Sequence, residues 1–310
     1  MYNLKKNKYI KIYKGSDFLS TKKSSNARST SGFHKVITFD LDETLGSFGD
    51  LYLLWSCIQK YNLFDSTEKN DFPIFYELMN LYPEFLRYGI LNILDFLYHK
   101  KMSMECFKIY LYTNNQCSGK QNSKWVSYII AYLSEKIYKM ALPLKSEMVL
   151  FDKIICSFKI NNHTIEPSRT TQNKTHSDLI RCTMLPKTAE ICFIDNTYYN
   201  KMVQDRVYYI QPKSYEHHLT TDDIIDRFIL KWKLFHVPIS FESILYDWFL
   251  LNHSVKKNDS YKEKKMNIDL IVSQKLMYHL KEFFLLSTKI QKTKKISVKL
   301  GRFTRKIHKK

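Results

Sequence analysis

Nowhere in the 310 residues do about 18 apolar residues follow one another. The basic amino-terminal stretch also lacks the apolar segment of a secretory leader. No membrane partner is expected, and a cytoplasmic or nuclear setting is. Cysteine is sparse: Cys57, Cys106, Cys117, Cys156, Cys182 and Cys192 show no C-x-x-C pair and no regular spacing. Reduced thiols are therefore the expectation. His163, His176, His217 and His218 have no metal-ligand spacing, and no internal repeat is present. Acidic residues are few, 30 against 49 Lys and Arg, a formal charge of +19. The excess sits at the two ends: residues 1–35 carry +8 and residues 289–310 carry +10, leaving +1 for all the rest. Such a balance is ordinary for an enzyme body, so the basicity is in the tails, which could contact nucleic acid or an acidic surface. A localisation signal is the other use for them, and plain solvation the bland one. The chain is long enough for one large domain, or one plus an appendage.

What is present is a set of apolar runs that end in acids or amides. Val36–Thr44 (VITFDLDET) reads as a strand stopping at Asp40, with Asp42 two residues on and then Thr44. Two carboxylates so close repel unless a cation or a proton is shared between them. Ligands of open α/β sheets bind at the carboxyl ends of strands, which is where this pair would lie. Alone, the string is equally well an acidic turn with Asp42 or Thr44 as a cap. Three further segments agree with the first reading. Phe107–Thr113 (FKIYLYT) is a second apolar strand, ending in Thr113-Asn114-Asn115. Lys174 opens KTHSDLIRC, and Ile191–Asp195 (ICFID) is a third strand ending in an acid, followed by Asn196. Such strands, separated by helical stretches, make a parallel sheet with one loaded edge.

These four segments resemble, in order, the four signature motifs of the haloacid dehalogenase superfamily of phosphatases. The wording is closest to the branch that acts on the carboxy-terminal domain of RNA polymerase II and its small relatives. Asp-Leu-Asp-Glu-Thr-Leu at 40–45, Tyr112-Thr113-Asn114 and Ile194-Asp195-Asn196-Thr197 carry the likeness. Leu86–Leu97 is similar to that branch's Arg-Pro-Gly segment, with Tyr88 in place of the proline. The likeness covers roughly residues 34–213 and implies a three-layer, Rossmann-like α/β fold.

The resemblance implies a Mg²⁺-dependent phosphomonoester hydrolase, and the chemistry of the residues agrees. Asp40 would attack phosphorus to form an aspartyl-phosphate, splitting one hard step into two. Asp42 would protonate the leaving oxygen and then take a proton from water, a role its neighbour favours by raising its pKa. Its backbone carbonyl would also face the metal. Thr113, with Thr44 and Asn114, would hold phosphoryl oxygens, and Lys174 would neutralise the charge in transfer. Lys120 and Lys124 compete with Lys174 for that role. Asp40, Asp42, Asp195 and Asn196 would supply oxygens to Mg²⁺, a hard cation. A phosphoserine or phosphothreonine protein is the expected substrate. The alternatives are a nucleic-acid 3′-phosphate end, which the Thr113-Asn114-Asn115-Gln116 string resembles, and a non-catalytic module tethering nucleic acid or an acidic partner through its tails.

Domain boundaries are expected as follows. Residues 1–33 read as a disordered basic segment, with Ser16–Gly32 polar and Ser-rich. The catalytic domain spans 34–215 with inserts at about 46–84 and 117–170, the first helical, the second a helix at Ser123–Tyr138 followed by one or two strands. Either insert could roof the site. A helical extension follows at 216–288, with Thr221 or Asp222 capping its first helix. A charged linker, His253–Asn267, then leads to an amphipathic helix at about 268–287. That helix presents Leu270, Ile271, Met277, Tyr278, Phe284 and Leu285, widened by Leu276, Leu280 and Phe283. Residues 289–310 are the basic tail.

Overall fold

Lys35–Phe39, Lys108–Tyr112 and Glu190–Ile194 are runs in which apolar side chains follow one another almost without a polar face. Such strands need cover on both sides. They form the middle of the sheet in the computed structural model, which describes residues 9–19, 34–63, 71–117, 124–140, 149–232, 240–252, 254–256 and 262–288. In chain order the strands are β1 (Ile10–Lys14), β2 (Phe18–Leu19), β3 (Lys35–Phe39), β4 (Lys108–Tyr112), β5 (Lys153–Ile155), β6 (Lys159–Ile160), β7 (His163–Thr164), β8 (Glu190–Ile194), β9 (Val207–Pro212) and β10 (Ser287–Thr288). The helices are α1 (Gly49–Lys60), α2 (Phe72–Leu81), α3 (Ile90–Met102), α4 (Trp125–Met140), α5 (His176–Thr183), α6 (Thr221–Trp232), α7 (Phe241–Leu251) and α8 (Lys262–Leu285).

The six-stranded sheet has the order β1-β9-β8-β3-β4-β5. Every neighbouring pair is parallel except β1 on β9. From β3 the chain moves outward through β4 and β5, then returns to β8 on the other side of β3. That reversal is a topological switch point, where open α/β sheets leave a crevice at the strands' carboxyl ends. Register makes the crevice sharp: Phe39 lies level with Leu111 on one side and Ile194 on the other. The next residue on β3 is Asp40, and the next after β8 is Asp195.

The two faces are covered unequally. One carries a large core built from α1, α2, α3, α4, α6, α7 and α8, including Leu54, Phe75, Ile93, Ile129, Phe228 and Leu245. The other is smaller, with Leu179 and Cys182 of α5 over Tyr112, Phe193 and Tyr209. Both expected inserts therefore contribute core, since α1, α2 and α4 bury their apolar stripes against the sheet side. The short β6–β7 hairpin is the part of the second insert that remains on the surface.

Several expectations need correction. Ile10–Lys14 lies within the segment read as disordered, yet pairs with Tyr208–Pro212 of β9, with Ile10 buried. The Ile-x-Ile alternation of a half-buried edge strand outweighs the polar composition around it. On α8 the buried positions are Val272, Leu276, Leu280 and Phe283, while Leu270, Tyr278 and Leu285 are exposed. The two candidate stripes overlap on a helical wheel, and contact with β9 and β1 selects the one centred on Leu276. Each of these side chains contributes about 1.5–3 kcal/mol on burial. The helix also starts at Lys262, inside the stretch read as a linker, and its partner is this chain's own sheet. The cap of α6 is Thr220: its hydroxyl accepts the Asp223 amide at 3.0 Å, while Asp223 accepts the Thr220 amide at 2.9 Å. Finally, Cys117 and Cys156 form a disulfide with Cα atoms 5.7 Å apart. Their separation of 39 residues gave no signal, but they follow the neighbouring strands β4 and β5, which bring them together. The other four cysteines are buried and free. The basic tail at 289–310 and most of the Ser-rich stretch lie outside the described residues.

Candidate active site at the switch point

Backbone rungs deliver the acids. The Asp40 amide donates to Ile194 at 2.9 Å and the Asp195 amide to Ile210 at 3.2 Å, so each carboxylate stands one residue past the last paired strand position. Both are buried, at 7% and 1% exposure. Lys174 lies between them, itself 2% exposed: its Nζ donates to Asp40 Oδ1 and, at 2.7 Å, to Asp195 Oδ2. Lys174 immediately precedes α5, whose N-cap Thr175 accepts the Asp178 amide at 3.0 Å. The Thr175 amide donates to the Tyr112 hydroxyl at 3.2 Å. The lysine is thus carried in by a capped helix start, and the rings of Tyr112 and Tyr199 lie 5.7 and 5.6 Å from its nitrogen. Burial alone would lower its pKa; the charges of Asp40 and Asp195 overcome this and raise it. Lys124 is exposed at the foot of α4, and Lys120 lies outside the described residues.

Asp42 sits on the turn that follows β3, where Asn115 Nδ2 donates to its Oδ2. Burial, reinforced by the charge of Asp40, pushes its carboxyl up to about 6 against the pull of Asn115 and Lys174. Burial likewise raises Asp195, with Lys174 opposing. Asp40 and Asp195 thus share one ammonium, and Asp42 is held by Asn115. The turn itself is braced from outside. Glu43 has a left-handed φ of 55°, unusual for a residue with a side chain. Its carbonyl is held by Arg87 Nη2 and by the Tyr215 amide at 2.9 Å. Arg87 Nε also donates to the Thr44 carbonyl at 2.5 Å. Gly89, two residues on, has φ 72°, and a Cβ there would meet Ser273 Oγ at 2.2 Å, so only glycine lets α3 start against α8.

Thr44 and Asn196 are brought together, but with each other. The Thr44 hydroxyl donates to Asn196 Oδ1 at 2.9 Å and accepts the Asn196 amide at 3.1 Å. Asn196 Nδ2 reaches Glu43 Oε2 and Ser214 Oγ, both at 3.1 Å. The pair expected to meet substrate and metal ties the β3 turn to the β8 turn. Thr113 is buried, with its hydroxyl oxygen accepting the Asn115 amide at 3.1 Å. Asn114 Nδ2 donates to the Tyr199 hydroxyl at 3.3 Å.

Arg169 organises this side of the crevice and gave no sign in its polar stretch. It is 1% exposed and lies over the Tyr112 ring at 4.8 Å. Nη1 donates to the carbonyls of Thr113 (3.1 Å) and Cys156 (2.6 Å), and Nη2 to Asn114 Oδ1 (3.0 Å) and the Gln172 carbonyl (2.7 Å). One planar fork therefore joins the ends of β4 and β5 to the loop that leads into Lys174.

Neither family models, nor curated proteins, nor solved structures match this chain. The function is therefore argued from the site's own geometry.

Among the described residues, no three His, Cys, Asp or Glu side chains converge as a ready metal cluster. Mg²⁺ does not require one: it takes one or two carboxylates and retains several waters. Asp40 and Asp195 converge on a single point, shown by the one ammonium they share. Their oxygen donors and excess negative charge fit a hard divalent cation.

Proposed function

We propose that the chain hydrolyses phosphomonoesters through an aspartyl-phosphate on Asp40. The observation that carries this is the buried Lys174 ammonium shared by Asp40 and Asp195 at adjacent strand ends, with a carboxyl of raised pKa two residues further on. Asp40 attacks phosphorus while Asp42, protonated, delivers its proton to the departing alcohol oxygen. Asp42, now ionised, takes a proton from the water that attacks the aspartyl-phosphate, which releases phosphate and restores both acids. A carboxyl held near 6 serves both halves, because neither protonation state is costly at neutral pH. Lys174 neutralises phosphoryl oxygens, and burial strengthens that attraction. Arg169 holds the Thr113–Asn114 turn in place, and the Thr113 hydroxyl and Asn114 would hold phosphoryl oxygens there. Mg²⁺, held by Asp40, Asp195 and the Asp42 carbonyl, would supply further neutralisation of the transferring group.

The test is hydrolysis of an aryl phosphate with and without Mg²⁺, wild type beside Asp40→Asn. Metal-dependent turnover that vanishes in a folded Asp40→Asn variant is expected; equal rates in the two would remove Asp40 from the chemistry. A phosphoserine or phosphothreonine substrate is supported only by the wording of the motif strings. A nucleic-acid end is supported by the wall beside Lys174.

A further inference from the structure

We propose that the pocket beside Lys174 receives the phosphorylated end of a single-stranded nucleic acid, with Tyr198 as the platform for the terminal base. The proposal rests on the phosphomonoesterase reading and names its substrate class. The pocket, about 480 Å³, is walled around Lys174 by Asn173, Thr197, Tyr198, Tyr199, Asn200 and Lys201. Its lining contains two aromatic rings, two carboxamides, a hydroxyl and ammonium groups, with no carboxylate and no aliphatic residue. Anions and flat π faces suit such a wall; the aliphatic side chains of a peptide do not.

Tyr198 is 47% exposed, yet its ring is packed against neighbouring rings. Its centroid lies 4.9 Å from Tyr13, and its plane is within 4° of Tyr209 at 6.1 Å. Tyr209 is fixed in turn by Phe193 at 4.8 Å and by its hydroxyl, which donates to the Thr197 carbonyl. A ring already ordered by its neighbours loses little freedom when a base stacks on it. Tyr13 pairs with Tyr209 across β1 and β9, and its hydroxyl donates to Gln211 Oε1 at 3.0 Å. Strand alternation puts Lys11 on the same face, and it is exposed. Lys201 lines the same pocket as Tyr198 and is exposed. The result is a stripe of lysines and tyrosines running from Lys174 to the β1 edge. Single-strand binding needs these two elements, cations for the backbone and rings for the bases.

The experiment uses the full chain and four probes: a short oligothymidylate with a 3′-phosphate, the same with a 5′-phosphate, the same with hydroxyl ends, and a phosphoserine peptide. Binding is followed by fluorescence anisotropy without Mg²⁺, and turnover by phosphate release with it. Because basic tails bind any nucleic-acid backbone, the signal is the gain from the terminal phosphate. We expect tighter binding of one phosphorylated end than of the hydroxyl-ended strand, about tenfold loss of that gain in Tyr198→Ala, and recovery in Tyr198→Phe. Lys201→Gln should lower the salt slope by roughly 0.7. The 3′ and 5′ arms say which end is read. Preference for the peptide, or a phosphate gain indifferent to both Tyr198→Ala and Lys201→Gln, overturns the proposal. If the aryl phosphate is not hydrolysed but the Tyr198-dependent gain persists, the hydrolase reading falls and the binding platform stands.

Discussion

Two buried carboxylate clusters in this chain are built from similar parts and held in opposite states. Asp50, near the start of α1, is the hub of one. His217 Nε2 lies 2.9 Å and Lys256 Nζ 2.8 Å from its Oδ2, and Ser254 Oγ donates to Oδ1 at 2.6 Å. Burial would raise this acid, but His217, Lys256 and Ser254 prevail and hold it at about 2. His217 Nδ1 accepts the Leu219 amide at 3.2 Å, so a proton on Nε2 faces the carboxylate. One acid is met by three partners, and the cluster fastens the start of α1 to the segment leading into α6. At the crevice, Asp40 and Asp195 share one lysine, neutral donors from Asn115 and the Thr197 amide reach Asp42 and Asp195, and Asp42 and Asp195 are both displaced upward. The contrast teaches that burial of charge does not mark function. An uncompensated excess of charge of one sign is what separates the crevice from the Asp50 cluster, because it costs stability that packing must offset and leaves room for a cation.

The largest way to break the comparison is to remove the cation that Asp40 and Asp195 share. Lys174→Met should destabilise the protein by about 3–5 kcal/mol at pH 8, since two buried acids lose their partner. Urea unfolding measures it, and a loss under 1 kcal/mol would mean that the acids are solvated.

Neutralising one acid in each cluster should then move stability in opposite directions. Asp50→Asn is expected to cost about 3 kcal/mol, whereas Asp42→Asn should add about 1–2 kcal/mol above pH 7 in metal-free protein. The signs follow from linkage. Asp42 has a folded pKa of about 6 against an ordinary 3.8, so its contribution is present below pH 4 and lost as pH rises through 6. Asp50 has a folded pKa of about 2, so its contribution is present above pH 4 and lost as pH falls through 2. Melting temperatures of the two variants against pH should diverge from wild type in those separate windows; parallel curves would erase the distinction.

The smallest expected effect sharpens the role of Arg169. Arg169→Lys keeps the charge but cannot span four acceptors, and should lower kcat for an aryl phosphate about tenfold through a misplaced Thr113–Asn114 turn. A change in melting temperature with kcat untouched would make Arg169 a packing residue only.

Much of this was readable along the chain. The runs ending in Asp40, Thr113 and Asp195 announced the parallel strands, since apolar segments without a polar face have few other uses. The register that sets those ends level was not readable, nor was the contact between Thr44 and Asn196. Arg169 gave no local signal, and the tie from Asn115 to Asp42 was not readable, because their partners come from three different strand ends and the loop before α5. His217 looked bland because Asp50 is far away in sequence. The alternation of Ile10 and Ile12 was visible, but the polar residues around it hid the edge strand.

By itself, the sequence determined the strand and helix types, the unequal spread of charge and the order in which the acids and Lys174 appear. Those depend on local periodicity and on short-range side-chain chemistry. Only the tertiary structure decided which acids share the ammonium, which are fully compensated, and that Cys117 meets Cys156. These depend on distances between residues far apart in the chain, which are set when the sheet chooses its strand order and both faces are packed.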